Sequence, residues 1–168
     1  VLEGGLDPYD VLVFYYTVGG LTQTQRDGLL DWVAAGNGFV GIHSAADSCR
    51  NCPQYRAMIG GHFLTHPQPR SYQVMITDPE HTITKDLVDA DPPEFFAEDE
   101  MYVTTYDSRN HVLAQALWKD TTVPVAWVTP WGNGKVFFPA LGHDQKACQH
   151  PMFARLLVRG TAWAADGE

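Results

Sequence analysis

Four histidines and a short acidic run stand where this sequence could do chemistry: His43, His62, His66 and His143, with Glu98-Asp99-Glu100. An imidazole exchanges a proton near neutral pH, and in its neutral form it offers a nitrogen lone pair to a metal. A carboxylate supplies the negative charge, or the base, that completes such a centre. His43, His62, His66 and His143, with Glu100 or Asp99, are therefore the candidate ligands of a divalent metal, zinc first among them. His43, His143 and Glu100 are also the candidate acid and base groups, with or without a metal. No H-E-x-x-H and no paired C-x-x-C is present, so the fold has to assemble these residues from distant segments. His62 and His66 are four apart, but Gly60-Gly61 and Pro67 argue for a loop rather than a helix face.

The elements that must position them can be read in order. Val11 to Tyr15 is an unbroken apolar run of the kind found in buried parallel strands. Thr22-Gln23-Thr24-Gln25 forms a capping box, and Leu29, Leu30, Trp32 and Val33 follow before Gly36, which predicts a helix over 22–35. Gly38 to Ile42 is a second buried strand, completing a βαβ unit and implying a parallel sheet. A helical turn at Gln54 to Ile59 and a strand at Tyr72 to Thr77 come next. Residues 78–100, rich in Pro, Asp and Glu, read as a long loop. Strands are expected at Met101 to Thr105, Val112 to Leu117, Val123 to Val128 and Lys135 to Leu141, with a hairpin turn at Trp131-Gly132-Asn133-Gly134. Pro151 opens a closing helix whose Phe153, Leu156, Leu157, Gly160 and Trp163 trace one face. In open α/β sheets ligands collect at the carboxyl ends of the strands, and His43 and His143 each follow one.

Bulk properties narrow the partners. The 168 residues suit one domain over 1–168, and a composition of 45% hydrophobic and 18% charged residues is too apolar for disorder. The net charge of −9 repels phosphate backbones, which excludes nucleic acid as a natural partner. No apolar run approaches the roughly 20 residues needed to cross a bilayer. Cys49, Cys52 and Cys148 are an odd number and make no disulfide framework; Cys49-Arg50-Asn51-Cys52, in a polar stretch before Pro53, reads as two loop thiols. A cytoplasmic location is the expectation, although the chain starts at Val1 with no initiator Met.

Several motifs, in order and over nearly the whole chain, resemble the ThuA-like (trehalose-utilisation) family. They are Tyr9-Asp10-Val11-Leu12-Val13-Phe14, Gly38-Phe39-Val40-Gly41-Ile42-His43-Ser44-Ala45, Ile59-Gly60-Gly61-His62-Phe63-Leu64-Thr65-His66-Pro67 and Asp99-Glu100-Met101-Tyr102. The likeness continues through Pro124-Val125-Ala126-Trp127, Gly134-Lys135-Val136-Phe137, Leu141-Gly142-His143-Asp144 and Arg159-Gly160-Thr161-Ala162-Trp163. The resemblance implies a flavodoxin-like, class I glutamine amidotransferase-like fold, with a mainly parallel sheet flanked by helices. It also implies a bacterial role on disaccharides or their keto derivatives, as a metal- or His/Glu-assisted hydrolase, lyase or isomerase, and it favours His43, His66, Glu100 and His143 as the metal ligands, with His62 and Asp99 as alternates. A non-catalytic carbohydrate-binding or regulatory domain is the alternative. Such proteins start with one more strand before Tyr9-Asp10, so a truncated N-terminus is expected, and an incomplete sheet would favour pairing with a second copy.

An amidotransferase carries its cysteine nucleophile on the turn where this chain has His43-Ser44, so thiolate-dependent glutamine hydrolysis is not expected. Ser44 does not sit in a G-x-S-x-G elbow and is assigned with Asp47, Tyr102 and Asp144 to substrate binding, Tyr102 as a ring that can stack on a sugar. The plain alternatives are a structural His43 bonding a backbone group, Glu100 capping a loop, and Trp127 in the core. His81, His111 and His150 read as ordinary loop or element-end residues.

Overall fold

The computed structural model describes Leu2, residues 5–17 and residues 19–166. Strands β1 (Val11–Phe14) and β2 (Gly38–Gly41) flank helix α1 (Gln23–Ala34) and pair in parallel, as the βαβ reading requires. The Thr22 hydroxyl accepts from the Gln25 amide at 3.2 Å, and the Gln25 side chain accepts from the Thr22 amide at 3.0 Å, so the capping box is closed. After β2 the chain enters a 3-10 turn (His43–Asp47), then α2 (Pro53–Ile59), β3 (Gly61–Thr65) and β4 (Arg70–Ile76). Next come β5 (Glu94–Asp99), β6 (Val103–Tyr106), β7 (His111–Trp118), β8 (Thr121–Trp131) and β9 (Gly134–Pro139). Two helices close the chain, α3 (Gln145–Cys148) and α4 (Pro151–Ala165).

Among the described residues, seven strands form one sheet in the order β1-β2-β9-β8-β7-β4-β5, while β3 and β6 pair separately. Only β1–β2 and β2–β9 are parallel; the β9–β8, β8–β7, β7–β4 and β4–β5 pairings are antiparallel. The sheet is therefore mixed, which corrects the mainly parallel expectation. The cause is connection length: one crossover helix builds the parallel part, whereas the tight turn after β8 leaves its strands no choice but to reverse. That turn holds Gly132 (φ 58) and Asn133, with Trp131 facing Gly134 across the hairpin.

Two further expectations change. The acidic segment 78–100 is not loop throughout, because Glu94–Asp99 forms edge strand β5. Its Phe95, Ala97 and Asp99 are buried while Phe96 is exposed, the period of two that a half-buried strand demands. Gly61–Thr65, expected as loop, is strand β3 against β6.

Core packing follows the alternation of β9. Phe137 meets Gly160 of α4, where any Cβ would lie 2.0 Å from the ring. Phe138 points the other way, onto fully buried Trp127, whose indole donates to the Ile59 carbonyl at the end of α2 at 2.9 Å. Helices thus cover both faces of the parallel part. No helix among the described residues is long and apolar enough to cross a membrane.

Candidate functional site

Strands β2, β9 and β5 run in one direction, so their carboxyl ends share one rim of the sheet. In a flat sheet β5 would stand roughly 19 Å from β9. Strand twist curls it back. Asp99, the last residue of β5, accepts hydrogen bonds from the amides of Gly142 at 2.7 Å and His143 at 3.1 Å, in the turn after β9. It also accepts from the Glu100 amide at 2.7 Å. Gly142 is at φ 98, and a Cβ there would meet the Phe153 ring at 2.6 Å, so this tight approach needs a glycine.

Glu100 and His43 form the buried floor of the centre. His43 leaves β2 at φ 45, a left-handed conformation that turns the chain sharply into the 3-10 turn. Its Nδ1 lies 2.8 Å from the Ala140 carbonyl oxygen, which can only accept, so Nδ1 carries the hydrogen. Nε2 then faces Glu100 Oε2 at 3.3 Å. Burial pushes the His43 pKa down, outweighing the Ala140 bond and the neighbouring carboxylates, which push it up. A neutral His43 presents a lone pair to a carboxylate. That arrangement calls for a shared hydrogen or a cation between them.

Two more imidazoles complete the rim. His143 Nδ1 is 3.2 Å from Glu100 Oε2, and His66 Nδ1 is 3.0 Å from Glu100 Oε1, both side chains partly open to solvent. His66 Nδ1 also lies 2.9 Å from the Pro67 carbonyl oxygen. The Tyr102 ring packs on His43 at 3.7 Å between centroids and on Phe63 at 4.5 Å. Burial, then the Glu100 and Asp47 carboxylates, drives the Tyr102 hydroxyl well above its usual range, so it stays protonated.

The residues expected to meet thus do so: His43, His66, Glu100 and His143 converge, with Tyr102 as a wall. His43, Glu100 and His143 offer ligand atoms within 4.8 Å of one another, the spacing a metal ion could bridge. His43 also meets the outer-shell condition, since a metal-ligating imidazole donates its other N–H to a carbonyl or carboxylate.

The alternates have other employment. His62 Nδ1 lies 2.7 Å from the Thr105 hydroxyl, on the two-stranded sheet, and Asp99 spends both oxygens on backbone amides. Ser44 is buried and accepts from the Thr17 hydroxyl at 2.7 Å. Asp47 takes a two-pronged hydrogen bond from Arg50 at 2.8 and 2.7 Å. It lines a cavity of about 300 Å3 whose walls also include Arg26, Cys49 and Cys52 but none of His43, His66, Glu100 and His143. Asp144 caps α3 by accepting from the Ala147 amide at 2.8 Å. Tyr15, not singled out from the sequence, places its hydroxyl 2.9 and 2.8 Å from the Gly142 and His143 carbonyls and steadies the His143 turn. Its position just past β1, at the same rim, was the available signal.

A mixed, curled α/β sheet with an imidazole–carboxylate cluster at its carboxyl rim defines the class. The family model for ThuA, described as trehalose utilisation, matches residues 2–164, and the chain belongs to that family. Its place in carbohydrate metabolism follows from that membership.

A ThuA-like protein from Parabacteroides merdae superposes with a TM-score of 0.87 at 20% identity, covering 100% of this chain and 75% of that one. One from Bacteroides uniformis gives 0.78 at 24% identity, over 95% and 70%. A β-galactosidase from Bacillus circulans gives 0.66 at 15% identity, over 96% of this chain and 23% of the enzyme. At these identities the likeness is one of fold. Among curated proteins none matches.

Proposed function

We propose that the chain is an enzyme acting on a disaccharide or keto-sugar, as a hydrolase, lyase or isomerase, with its chemistry at His43, Glu100 and His143. The observation that carries this reading is the shared carboxylate: one buried Glu100 lies within 3.3 Å of ring nitrogens from three histidines on separate segments. A structural carboxylate needs no such convergence, and a purely structural histidine has no reason to aim its free lone pair at one. Membership of a trehalose-utilisation family supports a sugar substrate.

In this reading Glu100 is the proton acceptor, held in orientation by His66 and His143, and half-exposed His143 returns the proton to the leaving or rearranging oxygen. His43, kept neutral by burial and held in orientation by its bond to Ala140, presents Nε2 as a ligand or acceptor. The Tyr102 ring closes one side and keeps water off His43. A divalent ion, zinc for preference, fits the donor set of His43, Glu100 and His143, and when bound it would polarise a substrate carbonyl or acidify a water. The His43-Ser44 turn carries no thiol, so amidotransferase chemistry forms no part of the proposal. Three free cysteines are in keeping with a reducing, cytoplasmic setting.

The test is elemental analysis of untagged protein followed by a screen of disaccharides and keto-sugars for turnover. Wild-type turnover lost in both His43→Ala and Glu100→Gln is expected; turnover surviving in both would end the proposal. Saturable sugar binding without any product would instead favour a carbohydrate-binding domain, a reading the fold's recurrence as 23% of a larger β-galactosidase keeps in play.

A further inference from the structure

Cys49 and Cys52 lie in the loop their polar flanks suggest, between the 3-10 turn and α2, and they flank a tight turn within it. The Cys52 amide donates to the Cys49 carbonyl at 2.9 Å, which closes a four-residue turn with Arg50 and Asn51 at its centre. Residues related by such a turn have Cα atoms less than about 7 Å apart, overlapping the window that a disulfide spans. Both thiols are free and buried, and both line the wall of the same cavity of about 300 Å3. The Cys52 sulfur accepts from the Tyr55 amide at 3.4 Å, and neither sulfur is in a disulfide. Cys148 stands elsewhere, on α3, with its sulfur 3.6 Å from the Gly142 carbonyl.

We propose that Cys49 and Cys52 are a reversible dithiol–disulfide pair, oxidised by a low-molecular-weight disulfide that enters through the adjoining cavity. One cysteine thiolate attacks a sulfur of the small disulfide; that S–S bond breaks and one small thiolate leaves with the electron pair. The second cysteine, having lost its proton to solvent, attacks the cysteine sulfur of the mixed disulfide and expels the second small thiolate. Two protein thiols and one small disulfide become one protein disulfide and two small thiols. The bridge would lock the Arg50–Asn51 turn, and with it the Arg50 side chain that holds Asp47. Burial raises the Cys49 thiol pKa, so the exchange is slow at neutral pH and equilibration must be long.

The whole chain is equilibrated in glutathione buffers from fully reduced to fully oxidised, remaining thiols are alkylated under denaturing conditions, and intact mass and tryptic maps are recorded. Arg50 lies between the two cysteines, so trypsin opens the loop and a bridged molecule yields two peptides joined by a disulfide. Three alkylations in reduced buffer, and one, at Cys148, in oxidised buffer, are expected, with the joined peptides reverting on reduction. Cys148→Ser should keep the bridge, while Cys49→Ser and Cys52→Ser should each stop at a glutathione adduct on the remaining cysteine. Three alkylations throughout, separate glutathione adducts on Cys49 and Cys52 in the wild type, or a bridge involving Cys148 would overturn the proposal. None of these readouts depends on sugar turnover.

Discussion

Asp99 and Gly142 are joined by a 2.7 Å hydrogen bond from the Gly142 amide to the Asp99 carboxylate, across strands that lie four positions apart in the sheet. The same carboxylate takes the amides of Glu100 and His143, so one side chain clamps together the backbone that carries two of the site's functional groups.

Asp99→Ala should strip the acceptor from these three amides at once. A loss of about 2–4 kcal/mol in urea unfolding is expected, because donors buried without partners lose their solvation as well as their bonds. Asp99→Asn retains one carbonyl oxygen and should lose less. A shift of under about 0.5 kcal/mol for Asp99→Ala would show that the clamp is idle.

His43→Ala should lower zinc affinity by about 100-fold or more, whereas His62→Ala, whose ring nitrogen is taken by Thr105, should leave it within a few-fold. Titration against a competing chelator reads both. Equal losses in the two variants would move the metal away from His43.

Burial lowers the folded-state pKa of His43 below its ordinary 6.5, and the same holds for His62 and His81. Between that lowered value and 6.5 the unfolded chain binds more protons than the folded one, so the stabilisation is whole above 6.5 and drains away as the pH falls through this window. Thermal midpoints of the apoprotein should therefore drop as the pH falls below about 6.5. A flat profile, or one rising toward acid, contradicts the neutral His43 on which the site's geometry relies.

Tyr102→Phe keeps the ring against His43 and Phe63 and should leave stability within about 1 kcal/mol, while Tyr102→Ala empties the contact and should remove about 3–5 kcal/mol. Chemical denaturation separates the two. Similar losses would mean that the hydroxyl, not the ring, is what the fold uses.

Much of the parallel half was legible because its signals are local. The Thr22–Gln25 capping box, the apolar runs of β1 and β2 and the hairpin turn after β8 each announce themselves within a few residues. Strand β5 was hidden by its surroundings: Glu94-Phe95-Phe96-Ala97-Glu98-Asp99 alternates properly, but one of its buried positions is an aspartate and the segment before it is acidic. Strand β3 was masked by flanking Gly60-Gly61 and Pro67, which punctuate a strand as readily as a loop. At the centre, His43 and His143 could be grouped because strand ends share a rim, while His66 and Glu100 joined them only through the resemblance and their residue types. The roles of Ala140 and Asp99 could not be read, since one acts through a backbone carbonyl and the other on backbone amides. Neither leaves a side-chain signature.

The curl of the sheet has a consequence for how the centre can be lost. Glu100 arrives on the β4–β5 hairpin at one border of the sheet, whereas His43 and His143 arrive on the parallel half beyond it. Fraying of that one border would carry off the carboxylate and leave the imidazoles of His43 and His143 standing, so the turnover proposed for the centre should vanish at a milder denaturant dose than secondary structure does.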